Sequence, residues 1–83
     1  MKVNIKYFAA IRESVGLGHE PVQTQTTTLG LLRDELIARG GVYAQSLARG
    51  RAVRVALNQV MSDESVALID DCEVAFFPPV TGG

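Results

Sequence analysis

Apolar and polar positions alternate from the first residues of the sequence, with Val3, Ile5 and Tyr7 interleaved among Lys2, Asn4, Lys6 and Phe8. A period of two puts one set of side chains on one face, so residues 2–8 are expected to form a strand with one buried side. The spacing then lengthens. Ile11 and Val15 stand four apart around Arg12 and Glu13, and Gly16 supplies a left-handed stop, which predicts a short helix over residues 9–15. Residues 19–26 are polar and rich in threonine and glutamine, with Val22 as their main apolar anchor. They read as a second strand near a sheet edge.

Thr28 can cap the next segment, where Leu29, Leu32 and Leu36 share one helical face. Glu35 and Arg39 stand four apart in the favourable order for an ion pair, and Gly40 with Gly41 stops this main helix. Residues 42–49 can add a further turn or two, held by Tyr43 and Leu47, before Gly50 breaks the pattern. Val53, Val55 and Leu57 then alternate with Arg54 and Ala56, Asn58 and Gln59 suit a turn, and Val60 with Met61 begins a short return strand. Residues 73–77 form the last strand. Pro78 and Pro79 end it, because neither can donate to a ladder and each holds its predecessor extended.

No internal repeat or linker interrupts this order. The expectation is an α+β fold over residues 1–77, a mixed sheet with one main helix across one face, followed by a flexible C-terminal tail over residues 78–83. Strand parity then fixes what the helix leaves uncovered. If Val3, Ile5, Tyr7, Val53, Val55, Leu57, Val74 and Phe76 face it, Phe8, Arg54, Ala56, Ala75 and Phe77 face away. Phe8 and Phe77 lie at the end of the sheet from which the tail emerges, and Met61 joins them if the fourth strand pairs with the third. Each such ring buries roughly 150–250 Å² when covered, so the pair can anchor a partner.

Composition narrows the picture. The 83 residues fit one domain, since so short a chain buries little more than about 60% of its unfolded surface. A hydrophobic content of 47% suffices for a packed core, and a net charge of −1 gives no electrostatic reason to expect nucleic acid or a membrane surface as partner. The single Cys72 excludes an internal disulfide, and the N-terminal residues resemble neither a signal peptide nor a membrane span, so a cytoplasmic setting is expected.

The last residues carry the candidate chemistry. Phe76 to Gly83 read FFPPVTGG: a stiff double proline, then a tip ending in two glycines. From Pro78 the extended tail reaches about 20 Å. Lacking Cβ atoms, Gly82 and Gly83 suit a narrow channel and any backbone geometry it imposes. A terminal carboxylate, with a pKa near about 3.5, is ionised and a poor electrophile, so it needs activation. Converting it to an acyl adenylate supplies a leaving group that a sulfur nucleophile can displace, giving a thiocarboxylate on a movable arm.

On the stretches VNIKYFAAIRESVG, TTLGLLRDEL, VALNQ and above all EVAFFPPVTGG, the whole chain resembles the small, sulfur-carrying subunits of molybdopterin synthases, members of the ubiquitin-like β-grasp superfamily. The resemblance implies that an E1-like adenylyltransferase uses ATP to adenylate Gly83, which becomes a thiocarboxylate. It implies insertion of the tail into the large synthase subunit and sulfur transfer to cyclic pyranopterin monophosphate, forming the dithiolene of molybdopterin, in a heterotetramer. Gly82 and Gly83 are then the reactive end. Phe8, Met61, Phe77, Pro78, Pro79, Val80 and Thr81 form the partner-binding surface, the catalytic groups lie on the large subunit, and no metal or bound cofactor is needed. One departure is Asp71, where the family usually has glycine before the last strand. Keeping the same turn would impose a positive φ on a residue with a Cβ.

The remaining candidates read as structural. Cys72 is a small filler without a cationic neighbour, and His19 is a surface strand residue with no second ligand at metal spacing. Asp70, Asp71 and Glu73 suit a turn before a strand. Arg49, Arg51 and Arg54 either pair with acidic groups on partners or are solvated. Sequence alone leaves open a carrier for thiamine thiazole or tRNA thiolation, a ubiquitin-like protein modifier, or an interaction module using only the Phe8 and Phe77 face.

Overall fold

Strands β1 (Lys2–Tyr7) and β5 (Cys72–Phe77) open and close the domain in sequence, yet lie side by side and parallel at its centre. A computed structural model describes residues 1–79. Between the two strands the chain forms α1 (Ala9–Val15), β2 (His19–Gln23), α2 (Leu29–Ile37), α3 (Gly41–Leu47), β3 (Arg54–Leu57) and β4 (Val60–Ser62). The sheet order is β2-β1-β5-β3-β4, antiparallel everywhere except at the central pair. This is the mixed α+β arrangement expected from the residue pattern.

Parity works as anticipated. Val3, Ile5 and Tyr7 stand opposite Cys72, Val74 and Phe76, and Phe76 also faces Val55. All of these are buried, and they pack with Leu29, Leu32, Leu36, Ile11 and Leu47 in one core. Each fully buried side chain of this size stabilises the fold by about 1.5–3 kcal/mol, so the three leucines of α2, all at 0% exposure, fix that helix on the sheet.

The ends of the elements follow local hydrogen-bond chemistry. Gly16 caps α1 in the left-handed region, with φ 84°. Strand β2 stops at Gln23, short of the expected Thr26, because the Thr24 hydroxyl accepts the Thr26 amide at 3.0 Å and so offers the chain a turn in place of a ladder. Thr28 caps α2 by accepting the Leu31 amide at 3.2 Å. The Leu29 and Gly30 amides donate to the Val66 and Glu64 carbonyls at 3.1 and 2.8 Å, so the crossing segment between β4 and β5 satisfies donors that a helix start leaves free. Gly30 permits this approach, since a Cβ there would stand 3.1 Å from Glu64.

Sequence reasoning missed one polar cluster, centred on Arg33. Though charged, Arg33 is only 4% exposed. Its guanidinium donates to the carbonyls of Leu47 (2.8 Å), Ala48 (2.7 Å) and Arg51 (3.2 Å) and to the Glu64 carboxylate (2.7 Å). One side chain of α2 thus holds the end of α3, the loop after it and the crossing segment. Arg49, read from sequence as partner-facing or solvated, instead pairs with Glu64 and Asp34 and donates to the Gly30 carbonyl. Arg39 turns to Glu20 at 2.6 Å and lies over the Tyr43 ring, with no ion pair to Glu35 among the described residues. Helical spacing identified a possible partner, but the neighbouring strand supplied a closer one.

Burial disfavours the charged form of Glu64, yet hydrogen bonds from Arg49 and Arg33 outweigh it and hold the carboxyl below the ordinary value of 4.5. A folded pKa below the unfolded one stabilises the protein above about pH 4.5, and this contribution disappears as pH falls through the folded value. Glu64→Gln is therefore expected to lower stability by about 1 kcal/mol at pH 7, given the partial exposure of the site. Thermal melts of the two proteins should converge at acid pH, and a gap independent of pH would contradict this origin.

Candidate functional site

The sheet face without helices becomes most apolar at the C-terminal end of β5. The Phe8 amide, one residue beyond β1, donates to the Phe76 carbonyl at 3.1 Å, and its own carbonyl accepts the first amides of α1. This fixes the Phe8 side chain beside Phe77. The two rings meet edge to face, with centroids 6.1 Å apart, a favourable arrangement of ring quadrupoles. Phe8 remains 45% exposed, and Phe77, Pro78 and Pro79 are half-buried.

Met61 lies on the same face. It stands opposite Ala56, which stands opposite Ala75 on β5. Two strand spacings and a two-residue offset place its backbone about 12 Å from that of Phe77. Ala75 and Ala56 form a floor between them, each 6% exposed, while Met61 rises from it at 54% exposure. An apolar surface with aromatic and thioether projections suits the buried centre of a protein interface. Lys6 and Glu73, paired at 3.1 Å, and Arg54, opposite Phe77, border it with charge.

The structure thus brings together Phe8, Met61, Phe77, Pro78 and Pro79 at one end of one face. The calls on Val80, Thr81, Gly82 and Gly83 lie outside the described residues. The acidic residues before β5 separate rather than converge. Asp70 accepts the Lys2 amide at 2.9 Å, Asp71 accepts the Asn4 side chain at 3.2 Å, and Glu73 pairs with Lys6. Asp71 keeps the left-handed turn, with φ 64°, and its amide donates to the Lys2 carbonyl. Aspartate is among the residues that tolerate this region best, so the positive φ anticipated at this position is met by a residue with a Cβ at modest cost.

Cys72 is buried at 3% exposure and fills space beneath the helices. His19 is exposed in β2. Tyr43 donates to Glu20 at 2.8 Å, and burial together with that carboxylate pushes its phenol up, away from titration at neutral pH. Among the described residues no group of three or more His, Cys, Asp or Glu side chains gathers as a metal site, and no helix is long and apolar enough to cross a membrane. The described face has the character of a docking surface.

A five-stranded mixed sheet with parallel first and last strands at its centre and a helix packed across one face defines a ubiquitin-like β-grasp protein. The ThiS family profile matches residues 5–83, and the chain belongs to that family. It is 35% identical over 81 residues to the molybdopterin synthase sulfur carrier subunit of Haemophilus influenzae, covering 98% of this chain and 99% of the relative. It is 37% identical to the protein of the same name from Escherichia coli, with the same coverage. Among solved structures, it resembles a chain in the complex of subunits 1 and 2 of molybdopterin-converting factor from Helicobacter pylori, with a TM-score of 0.68, 26% identity and full coverage of both chains.

Proposed function

We propose that the protein is the sulfur carrier subunit of a molybdopterin synthase, with the carboxylate of Gly83 as its reactive group. The observation that carries this reading is the apolar face formed by exposed Phe8 and Met61 with half-buried Phe77, beside Pro78 and Pro79, in a chain matched along almost its whole length by two sulfur carrier subunits. The rigid body docks on a large subunit, and the tail carries sulfur into that subunit's catalytic site. The complex is a heterotetramer, two carriers flanking a dimer of large subunits.

The chemistry needs two activations. An E1-like adenylyltransferase joins the Gly83 carboxylate oxygen to the α-phosphorus of ATP, and pyrophosphate leaves. A sulfur nucleophile at the level of sulfide then adds to the acyl carbon, AMP leaves, and the terminus becomes a thiocarboxylate. In the synthase, that sulfur bonds to a carbon of cyclic pyranopterin monophosphate in place of an oxygen substituent, which leaves, and water then cleaves the acyl–sulfur bond, leaving the sulfur on the pterin and restoring the Gly83 carboxylate. No side chain of the carrier is required to move a proton. Its residues bind, orient and deliver.

Intact mass spectrometry after incubation with the activating enzyme, ATP and a sulfur donor tests this. The expected product has one sulfur in place of one oxygen, removable by the large subunit and its pterin substrate. An unchanged mass contradicts the reading, and attachment to lysines of other proteins identifies a modifier instead. Docking has its own prediction. Phe8→Ala is expected to weaken binding to the large subunit about tenfold to a hundredfold, because it removes a central aromatic anchor, while leaving the unfolding midpoint nearly unchanged. Titration calorimetry with equal affinities for the two proteins would remove Phe8 from the interface.

A further inference from the structure

Among the described residues, four that carry a Cβ sit on backbone with positive φ: Ala9, Asn58, Gln59 and Asp71. Three of them have a local reason. Asn58 and Gln59, at φ 48° and 70°, form the two-residue connection between β3 and β4, and the twist of so tight a hairpin favours positive φ at both central positions. Asp71 belongs to a residue type that tolerates the left-handed region. Ala9 has no such reason. At φ 51° its Cβ crowds the following carbonyl oxygen, a strain that glycine would escape.

The strain falls at the base of the docking face. Phe8 is held from both sides: its amide donates to the Phe76 carbonyl at 3.1 Å, and its carbonyl accepts the Ile11 and Arg12 amides at 3.2 and 3.3 Å. The bond from Ile11 closes a four-residue turn with Ala9 and Ala10 at its centre. Positive φ at Ala9 but not at Ala10 is a sign pattern in which glycine dominates the first central position. The left-handed residue lets the chain pass from the sheet into α1 in one step while Phe8 keeps the extended geometry of a strand, with φ −124° and ψ 154°. Ile11 then enters the core at 5% exposure, and the Phe8 ring is left against Phe77. Outliers of this kind persist only where surrounding contacts over-determine them, and they gather at functional sites.

We propose that Ala9 is a positioning residue for docking: its left-handed backbone sets the direction in which Phe8 leaves the sheet, and the large subunit meets that direction through the Phe8 ring. This rests on the reading of the Phe8 face as the surface that binds the large subunit. Ala9 is itself exposed, so substitutions there displace no packed atom and act through the backbone. With α1 anchored by Ile11 and the Phe8 amide anchored on Phe76, a return of Ala9 to negative φ cannot leave both ends in place. The half-exposed Phe8 ring yields before the buried Tyr7 or Ile11 does.

Substitutions at Ala9 separate strain from direction. Ala9→Gly keeps the positive φ without the clash, so its thermal midpoint is expected to rise by about 2–6 °C. It should bind the large subunit within about twofold of the unaltered protein and retain nuclear Overhauser contacts between the Phe8 and Phe77 rings. Ala9→Val, whose branched side chain disfavours positive φ most, should lose those contacts and bind about tenfold to a hundredfold more weakly, as Phe8→Ala does. Adding Ala9→Val to Phe8→Ala should then weaken binding by less than about twofold further, a non-additivity that a general loss of stability does not produce. Titration calorimetry on samples shown by melting to be folded supplies the affinities. Additive losses in the double variant, or normal binding by Ala9→Val, would overturn the proposal. So would a glycine variant that melts at or below the unaltered midpoint, whether or not the valine variant folds. Normal binding by Phe8→Ala would instead sink the docking reading and the proposal together, so the two failures are distinguishable.

Discussion

Deletion of Gly83 is expected to reduce sulfur transfer by at least about a hundredfold while leaving the fold intact. The shortened protein still ends in a glycine carboxylate, so the loss is one of reach. One residue removes about 3.3–3.6 Å of tail, and a misplacement near 1 Å already costs about a hundredfold when reacting atoms must meet in a fixed geometry. Stability should change by less than about 0.5 kcal/mol, because the central strand ends at Phe77 and the core at Phe76. Product formation in a reconstituted synthase, measured beside a thermal melt, decides the matter. Undiminished turnover with the shortened carrier would show that the terminal residue does not set the position of the sulfur.

The second large effect concerns stability. Arg33→Ala is expected to destabilise the protein by about 3–5 kcal/mol, the range for removing one member of a buried charged network. Four groups each lose one donor: the carbonyls of Leu47 and Arg51, the Ala48 carbonyl, which keeps the Arg51 amide, and the Glu64 carboxylate, which keeps Arg49. Arg33→Lys should recover only part of this, since an ammonium has no planar fork with which to bridge separate acceptors. Urea unfolding reads the difference as a shift in midpoint at nearly constant slope. A loss below about 1 kcal/mol for the alanine variant would mean that water replaces the guanidinium without cost.

The contrast between these two residues reflects what was legible in the sequence. Val3, Ile5 and Tyr7 declared a strand because the pleat has a period of two, and Leu29, Leu32 and Leu36 declared a helix face for the analogous reason. The Thr28 cap and Gly16 stop were visible because each acts within a few residues. Phe8, Met61 and Phe77 could be assigned to a common face by parity, which the register bears out. Arg33, by contrast, sits in a helix where an arginine ordinarily reads as solvated, and nothing local reveals that three carbonyls from residues 47–51 converge on it. Arg39 chose Glu20 over Glu35 for the same reason. Pairing between distant segments, including the parallel β1–β5 contact, depends on how the chain closes, and no periodicity records that.

The central place of β5 also constrains the order of events during synthesis. The strand that joins β1 to β3 is the last one translated, so a nascent chain holds two separate hairpins with no continuous sheet. The core can close only after β5 has been made and has inserted between β1 and β3. The apolar face around Phe8 and Phe77 shares this dependence, because Phe77 belongs to the central strand and Phe8 packs against it only once that strand is in place.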